Sequence, residues 1–465
     1  MSGRVETDLG GRFVLADPRA SRVESRSFES RAAAASLFLI LLLAICWDGP
    51  TILLHGDFPG GPGANGDSSD VARQACFILL LGGVAVVAAR ANGLRTLLRV
   101  PATFAPLLAW CWLSVTWAID PSASIRRNGF TTIVILAVVW SVQLLSHRQV
   151  VGVLLAAFVG VLLADWAAVA VTPFAVHQSG EVESWLAGSW RGIHAHKNEA
   201  GAFSAVCLLL LLHEAVRVRS LLSGGVLAAA AAGFLYGSQS KTSEGMVLIA
   251  LALGPAAHVA YNNPGLRRIA AVGLLLGLLA CAPYAGEIAA PLARMLDDPA
   301  ALTGRSQIWP VLLRYASDHP LLGSGYGSFW AIGDASPIFS YGVAWLGTIN
   351  HSHNGYIDIL VQTGAIGLGL SVVCLVVLPL RALFCAPLAG GASRSLICSI
   401  IVFGCLHDLL ETSLLNRANA TWVVMVVMYC LLAKAVAAAR APSWRRYPFS
   451  LRTAASSALT HSPQP

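Results

Sequence analysis

The fold class this sequence predicts is an all-α polytopic membrane protein of about 12 transmembrane helices, with a long outer loop between helices nine and ten. Three observations predict it. Of the 465 residues, 56% are hydrophobic and only 12% are charged, against roughly 25% charged in soluble domains. Apolar runs long enough to span a bilayer recur along the whole chain. The Lys and Arg residues gather in alternate loops, as positive-inside bias requires. A soluble globular domain and a disordered chain are both excluded. The net charge of +7 is explained by that bias, so no nucleic-acid partner is expected.

The apolar runs cover about 32–47, 71–89, 101–118, 128–145, 150–172, 197–216, 220–237, 243–261, 268–286, 355–384, 394–412 and 419–438. An Arg-rich tail over 1–31 precedes the membrane domain of 32–438, and a second tail spans 439–465. The first run lacks a small-residue cleavage site and reads as a retained anchor rather than a signal peptide. With the N-terminus inside, most cations fall on the inner side, from Arg4–Arg31 through Arg217 and Lys434 to Arg452. The 48–70 loop, with four Asp and no Lys or Arg, then lies outside. Both termini are expected in the cytoplasm. All ten cysteines sit in or at the edge of apolar runs, without metal or disulfide spacing.

Two outer segments are long, 173–196 and 287–354, and long loops are more often functional than passive. Within the second, Gln307–Ala316 predicts a short amphipathic helix with Trp309, Leu312, Leu313 and Ala316 on one side and Pro310 in or near its first turn. Gly323, Gly325 and Gly327 follow in a tight turn; no strand precedes them and no Gly-Lys-Ser/Thr follows, so they make no nucleotide loop.

The outer cations are informative because positive-inside bias disfavours them. Arg126, Arg127, Arg191, Lys197, Lys241, Arg294, Arg305, Arg314 and Arg417 lie near predicted boundaries or in the long loop. Either they snorkel to headgroups, or they hold a membrane-anchored anion such as a phosphate, to which guanidinium and ammonium groups bind strongly. His351-Ser352-His353-Asn354 sits where the long loop re-enters the membrane. A neutral imidazole there can take a proton from a hydroxyl, or can simply bond a backbone carbonyl. His194 and His196 lack acidic residues at ligand spacing, so no metal is expected. Asp165, Glu199, Asp358, Asp408 and Glu411 lie in or beside apolar runs, where acids are costly. They can bind sugar hydroxyls, relay protons or, the favoured reading, pair with the outer cations.

These blocks together carry a resemblance. Arg191…His196-Lys197-Asn198, Ser238…Ser240-Lys241-Thr242, Leu302-Thr303-Gly304-Arg305…Trp309…His319-Pro320-Leu321-Leu322-Gly323…Gly325…Gly327…Phe329-Trp330 and His351…His353-Asn354-Gly355-Tyr356 resemble the O-antigen ligase/polymerase superfamily. Within it, the chain looks most like the bacterial exopolysaccharide polymerase branch. The resemblance covers about residues 105–430.

What the resemblance implies is a membrane glycosyltransferase of the lipid-phosphate-sugar-using kind. Such an enzyme moves a glycan from an undecaprenyl-diphosphate carrier in the outer leaflet of the bacterial inner membrane to a sugar hydroxyl of an acceptor, with inversion and without a metal or other cofactor. His353, Asn354 and Gly364 fit the ligase signature of His, a small polar residue, nine residues, then Gly. His353 and Arg305 are therefore expected to be catalytic. Arg191, His196, Lys197, Asn198, Lys241, Arg314, Asn354 and Glu411 are expected to bind substrate. Trp309 stands where ligases tend to have Leu, and Arg314 with Gly325 fits a polymerase spacing. A polymerase is favoured, a ligase is the nearest rival, and a secondary transporter is the rival from another class. A flippase and a chain-length regulator are partners expected by resemblance alone.

The aromatic residues Trp309, Tyr315, Tyr326, Phe329, Trp330, Tyr341 and Trp345 of the long loop are expected to stack on sugars or to form an interfacial belt.

Overall fold

The computed structural model describes residues 5–7, 13–15, 18–46, 71–181, 184–218, 221–281, 284, 305–342, 349–386, 391–417 and 419–440. Each of the twelve apolar runs overlaps a helix among the described residues. Before the long loop come α1 (Pro18–Cys46), α2 (Val71–Asn92), α3 (Ala105–Leu113), α4 (Pro121–Leu144), α5 (His147–Val171), α6 (Lys197–Val218), α7 (Leu221–Ser238), α8 (Lys241–Asn262) and α9 (Pro264–Cys281). The long loop contains α10 (Arg305–Asp318). After it come α11 (Gly355–Val372), continued through a π turn into α12 (Leu378–Cys385), then α13 (Gly391–His407) and α14 (Ala420–Arg440). Near the N-terminus, Val5–Thr7 pairs antiparallel with Phe13–Leu15. The 48–70 loop, Arg294 and Trp345 lie outside the described residues.

By length and apolarity, eight helices among the described residues can cross a membrane, and three shorter apolar helices accompany them. The chain is a polytopic membrane protein. The 101–118 run departs from a full span: α3 has nine residues and ends in a 3-10 turn over Ser114–Trp117.

Local signals fix the helix starts. Asp120 caps α4 by accepting the Ala123 N–H at 3.0 Å, with Pro121 in the first turn. Ser146 and Gln149 form a reciprocal capping box on α5. At the other end of α4, the Lys434 Nζ donates to the carbonyls of Val142 and Leu145, which satisfies orphan acceptors of the last turn.

The centre of the bundle is α14, buried at every position from Thr421 to Leu432. A helix that is apolar all round is kept from water, and here neighbouring helices rather than lipid surround it. It packs against α4, α12, α13 and α6, while α13 lies along α8 and α6 along α7.

The 355–384 run is not one straight helix. Gly364 stands at φ 66° inside it, and a Cβ there would lie 2.0 Å from the Leu321 carbonyl oxygen. The glycine-rich segment of the long loop wedges into this break. Ala365 N–H donates to Pro320 O at 2.8 Å and Ser324 N–H to Val361 O at 2.9 Å, so the groups freed by the break are re-satisfied. Gly323, Gly325 and Gly327 all have positive φ, and added Cβ atoms would meet Val361, Ala118 and Arg127 within 3 Å. The turn is glycine-rich because it is pressed against α11, α4 and the end of the Ser114–Trp117 turn.

Candidate functional site

The long loop folds on its own small core. Ile308, Leu312, Tyr315 and Ala316 of α10 bury against Phe329, Trp330, Ile338 and Val361. The buried face of α10 therefore differs from expectation: Leu313 is 49% exposed, while Ile308, Tyr315 and Arg305 are inside. Pro310 lies inside the helix rather than in its first turn. The aromatic residues Tyr315, Tyr326, Phe329 and Trp330 are buried. Tyr315, Phe329 and Trp330 pack in the loop's own core, whereas Tyr326 docks the loop into the main core, its OH donating to Leu415 O at 2.6 Å. Arg127 clasps the loop from outside, donating to the carbonyls of Gly327, Trp330 and Ala331 at 2.7, 2.6 and 3.0 Å.

This core sets the position of His353. The Trp309 Nε1–H donates to Ser352 O at 3.0 Å. Asp358 accepts from the Trp330 Nε1–H at 2.8 Å and from the Ser352 N–H at 3.2 Å. Asn354 caps α11, its Oδ1 accepting from the Tyr356 and Ile357 N–H groups at 3.0 Å, while its Nδ2 donates to Leu409 O. Held on both sides, His353 adopts φ 54°, a left-handed conformation that a non-glycine residue keeps only when its surroundings over-determine it.

Three chain segments converge on Glu411, in the turn between α13 and α14. Its Oε1 accepts from the Asn198 Nδ2 at 2.7 Å and from the Arg305 Nη2. Its Oε2 lies 3.2 Å from the His353 Nδ1. The Gly355 N–H donates to both the Asp408 and Glu411 carbonyls, at 2.8 and 2.9 Å, which ties this turn to the start of α11. Burial would push the Glu411 carboxyl up, but the His353 hydrogen bond and then the His353, Arg305 and His407 charges outweigh it and hold it at about 2. An ionised carboxylate only accepts hydrogen bonds. His353 must then present Nδ1–H to Glu411, which leaves Nε2 as the basic nitrogen when the ring is neutral. The His353 side chain is 28% exposed.

His351 stacks edge-on to His353 at 4.1 Å between ring centroids and accepts the His353 N–H on its Nδ1. Burial, then the His353 charge, pushes it down to about 3, so it stays neutral.

The remaining expected site residues are placed differently. Arg191 is 2% exposed and paired bidentately with Glu181 at 3.0 and 3.2 Å, with its Nε on Phe174 O. His177 also bonds Glu181, at 2.8 Å. This clasp closes the 173–196 loop on itself. Glu181 and His177 did not stand out in the sequence, although their i,i+4 spacing was the available signal. The Lys197 Nζ donates to Gln239 O at 3.3 Å, and the His196 Nδ1 accepts the Asn198 N–H. Lys241 pairs with Glu244 at the exposed start of α8. Arg314 lies on the exposed side of α10, away from the buried face that carries Arg305. The buried acids divide: Asp165 pairs with His194 at 3.2 Å, whereas Asp408 ties its own turn through Ser413 and Leu414.

The buried Arg305 and the oriented His353, which Glu411 gathers at one end of a helical membrane bundle, belong to the blocks on which the family resemblance rests. Residues 200–372 match the family model described as O-Antigen ligase. The resemblance to the O-antigen ligase and polymerase superfamily holds. The chain is also 30% identical over 202 residues to the exopolysaccharide production protein ExoQ of Rhizobium meliloti (strain 1021), covering 40% of this chain and 45% of that protein. The chain therefore matches less than half the length of this curated relative. The family match takes in Lys241, Arg305, Arg314, His353, Asn354 and Gly364, while Asn198 and Glu411 fall outside it.

Proposed function

We propose that this chain is a membrane glycosyltransferase that polymerises lipid-linked oligosaccharide, transferring it from undecaprenyl diphosphate to a sugar hydroxyl at the periplasmic face of the bacterial inner membrane. The twelve helical runs serve as about twelve crossings, with both termini in the cytoplasm and the loops 173–196 and 287–354 outside. The single observation that carries this reading is the convergence of His353, Glu411 and Arg305.

Glu411 holds the His353 Nδ1–H, and Nε2 takes the proton from the acceptor hydroxyl as its oxygen attacks the anomeric carbon. The bond from that carbon to the diphosphate oxygen breaks, and undecaprenyl diphosphate departs with both electrons. Attack from the opposite face inverts the anomeric centre. Diphosphate leaves readily, so charge stabilisation and positioning do most of the work. Arg305 supplies the nearest fixed positive charge, without a metal ion. Lys197, Lys241 and Arg314 line the approach of the diphosphate, and His196 and Asn198 border the acceptor. Arg191 and Asn354 act through structure, one as a loop clasp and one as a helix cap. A flippase delivering the donor and a regulator of chain length are the partners this reaction calls for.

A ligase is the second reading, favoured by the match to the model described as O-Antigen ligase and by the spacing of His353, Asn354 and Gly364. Sizing the glycan on undecaprenyl diphosphate in cells with and without the gene separates the two. Loss of a polymerase leaves single repeat units on the carrier, and loss of a ligase leaves long chains there. Unchanged lipid-linked glycan overturns both.

A further inference from the structure

At the opposite end of the bundle from Glu411, a cavity of about 100 Å³ lies between the first turns of α5 and the last turns of α6. The 22-residue α6 carries Asn198 of the catalytic cluster at its start and Arg217 at its end, roughly 30 Å apart at 1.5 Å per residue. The cavity is lined by His147, Arg148, His213, Glu214 and Arg217 with Val151, Gly152 and Leu155. Glu214 is the one acid among these lining residues, and it pairs with Arg217. Arg148 and Lys434 add positive charge that acts on Glu214 and His147 respectively. The positive end of the α5 dipole and the negative end of the α6 dipole both lie here and offset one another, so the field comes from the side chains.

A second feature adjoins it. A groove of about 270 Å³ runs between α1 and α5, lined by Ala35, Ser36, Leu39, Gln149, Val153 and Ala156, and also by Gly152. The basic cavity and the largely apolar groove thus meet at Gly152, where a Cβ would find no atom within 4 Å. A basic cavity next to a largely apolar groove, on the end of the bundle that collects basic residues, fits an amphipathic anion. We infer that this is a binding site for an anionic phospholipid of the cytoplasmic leaflet, its phosphate held by Arg148 and Arg217 and an acyl chain laid in the groove between α1 and α5. It is independent of the transfer reaction at the other face. Basic pockets between helices on the cytoplasmic side recognise lipid headgroups by this combination of charge and apolar surface.

Native mass spectrometry of the detergent-solubilised full chain, titrated separately with phosphatidylglycerol, phosphatidylcholine and inorganic phosphate, tests this. One phosphatidylglycerol is expected to bind at least about tenfold more tightly than phosphatidylcholine, and each of Arg148→Gln and Arg217→Gln to weaken it about fivefold. Glu214→Gln removes the opposing charge and is expected to strengthen binding, which separates an electrostatic effect from loss of folding. Gly152→Phe fills the groove and is expected to weaken phosphatidylglycerol. Equal affinity for the two lipids, or unchanged binding in the arginine variants, overturns the site. Displacement of phosphatidylglycerol by millimolar phosphate together with full binding in Gly152→Phe overturns the lipid, because it marks a site for a free anion.

Discussion

The His353 Nδ1 stands 3.2 Å from the Glu411 Oε2, and the same carboxylate holds Arg305 and Asn198 on its other oxygen. One acid therefore sets both the tautomer of the histidine and the place of the arginine. Its sequence position, in the turn before α14, puts it far along the chain from both.

Glu411→Gln keeps the side-chain shape but replaces an acceptor-only group with an amide that can also donate. The His353 ring is then free to flip its tautomer. Transfer is expected to fall about 100-fold or more with little change in membrane insertion, and His353→Ala combined with Glu411→Gln is expected to be no worse than His353→Ala alone. Additive losses in the double variant would show that the two residues act separately.

Arg305→Ala strips the buried Glu411 of its guanidinium partner, which costs about 3 kcal/mol where a buried pair is broken from one side. A lowered thermal midpoint together with lost transfer is expected. Arg305→Lys restores charge but not the fork, so it should recover stability more than rate.

Asn354→Ala removes an N-cap and is expected to cost about 1 kcal/mol of stability. Asn354→Ser, a good cap with no amide, should retain most activity. A large rise in KM for Asn354→Ser at normal stability would assign the amide to the sugar instead.

Gly364→Ala places a methyl group against the Leu321 carbonyl at a left-handed φ. Overpacking of this kind costs about 3 kcal/mol, and the loop should lose its seat in α11. Hydrogen exchange is expected to rise in residues 320–327 and 351–354 ahead of the bundle. Unchanged protection there would detach the signature glycine from the loop.

Acid weakens the loop in two windows. His351 is held at about 3, below its ordinary 6.5, so the unfolded loop binds its proton first. Its contribution is full above about pH 6.5 and is lost as pH falls toward 3. Glu411, at about 2 against an ordinary 4.5, contributes fully above about pH 4.5 and loses this as pH falls toward 2. Thermal midpoints of wild type should therefore decline from pH 7 to pH 4, and His351→Gln should flatten the upper part of that decline.

The helices were legible because apolar runs are a local signal. Each run overlaps a helix among the described residues, although 101–118 yields only a nine-residue one. The break at Gly364 was not legible, because it depends on a loop some 40 residues earlier filling it, a contact that no local pattern encodes. The buried face of α10 follows from Arg305, Ile308, Leu312 and Tyr315 at helical spacing. Including the arginine in the apolar face would have revealed it. Glu411 stood out as an acid beside an apolar run, but its partners were hidden. His353, Arg305 and Asn198 come from three other segments, and only tertiary structure brings them together. The pairing of Arg191 was hidden for another reason: an outer arginine draws attention to phosphate, while its partner Glu181 lies in the same loop.

The most direct test is single-turnover transfer by the purified protein in liposomes. Lipid-linked oligosaccharide serves as donor and acceptor, and wild type is compared with His353→Ala. Wild type should lengthen the glycan and release undecaprenyl diphosphate, and His353→Ala should bind donor but transfer none. Transfer by His353→Ala at the wild-type rate would contradict the assignment of His353 as the base.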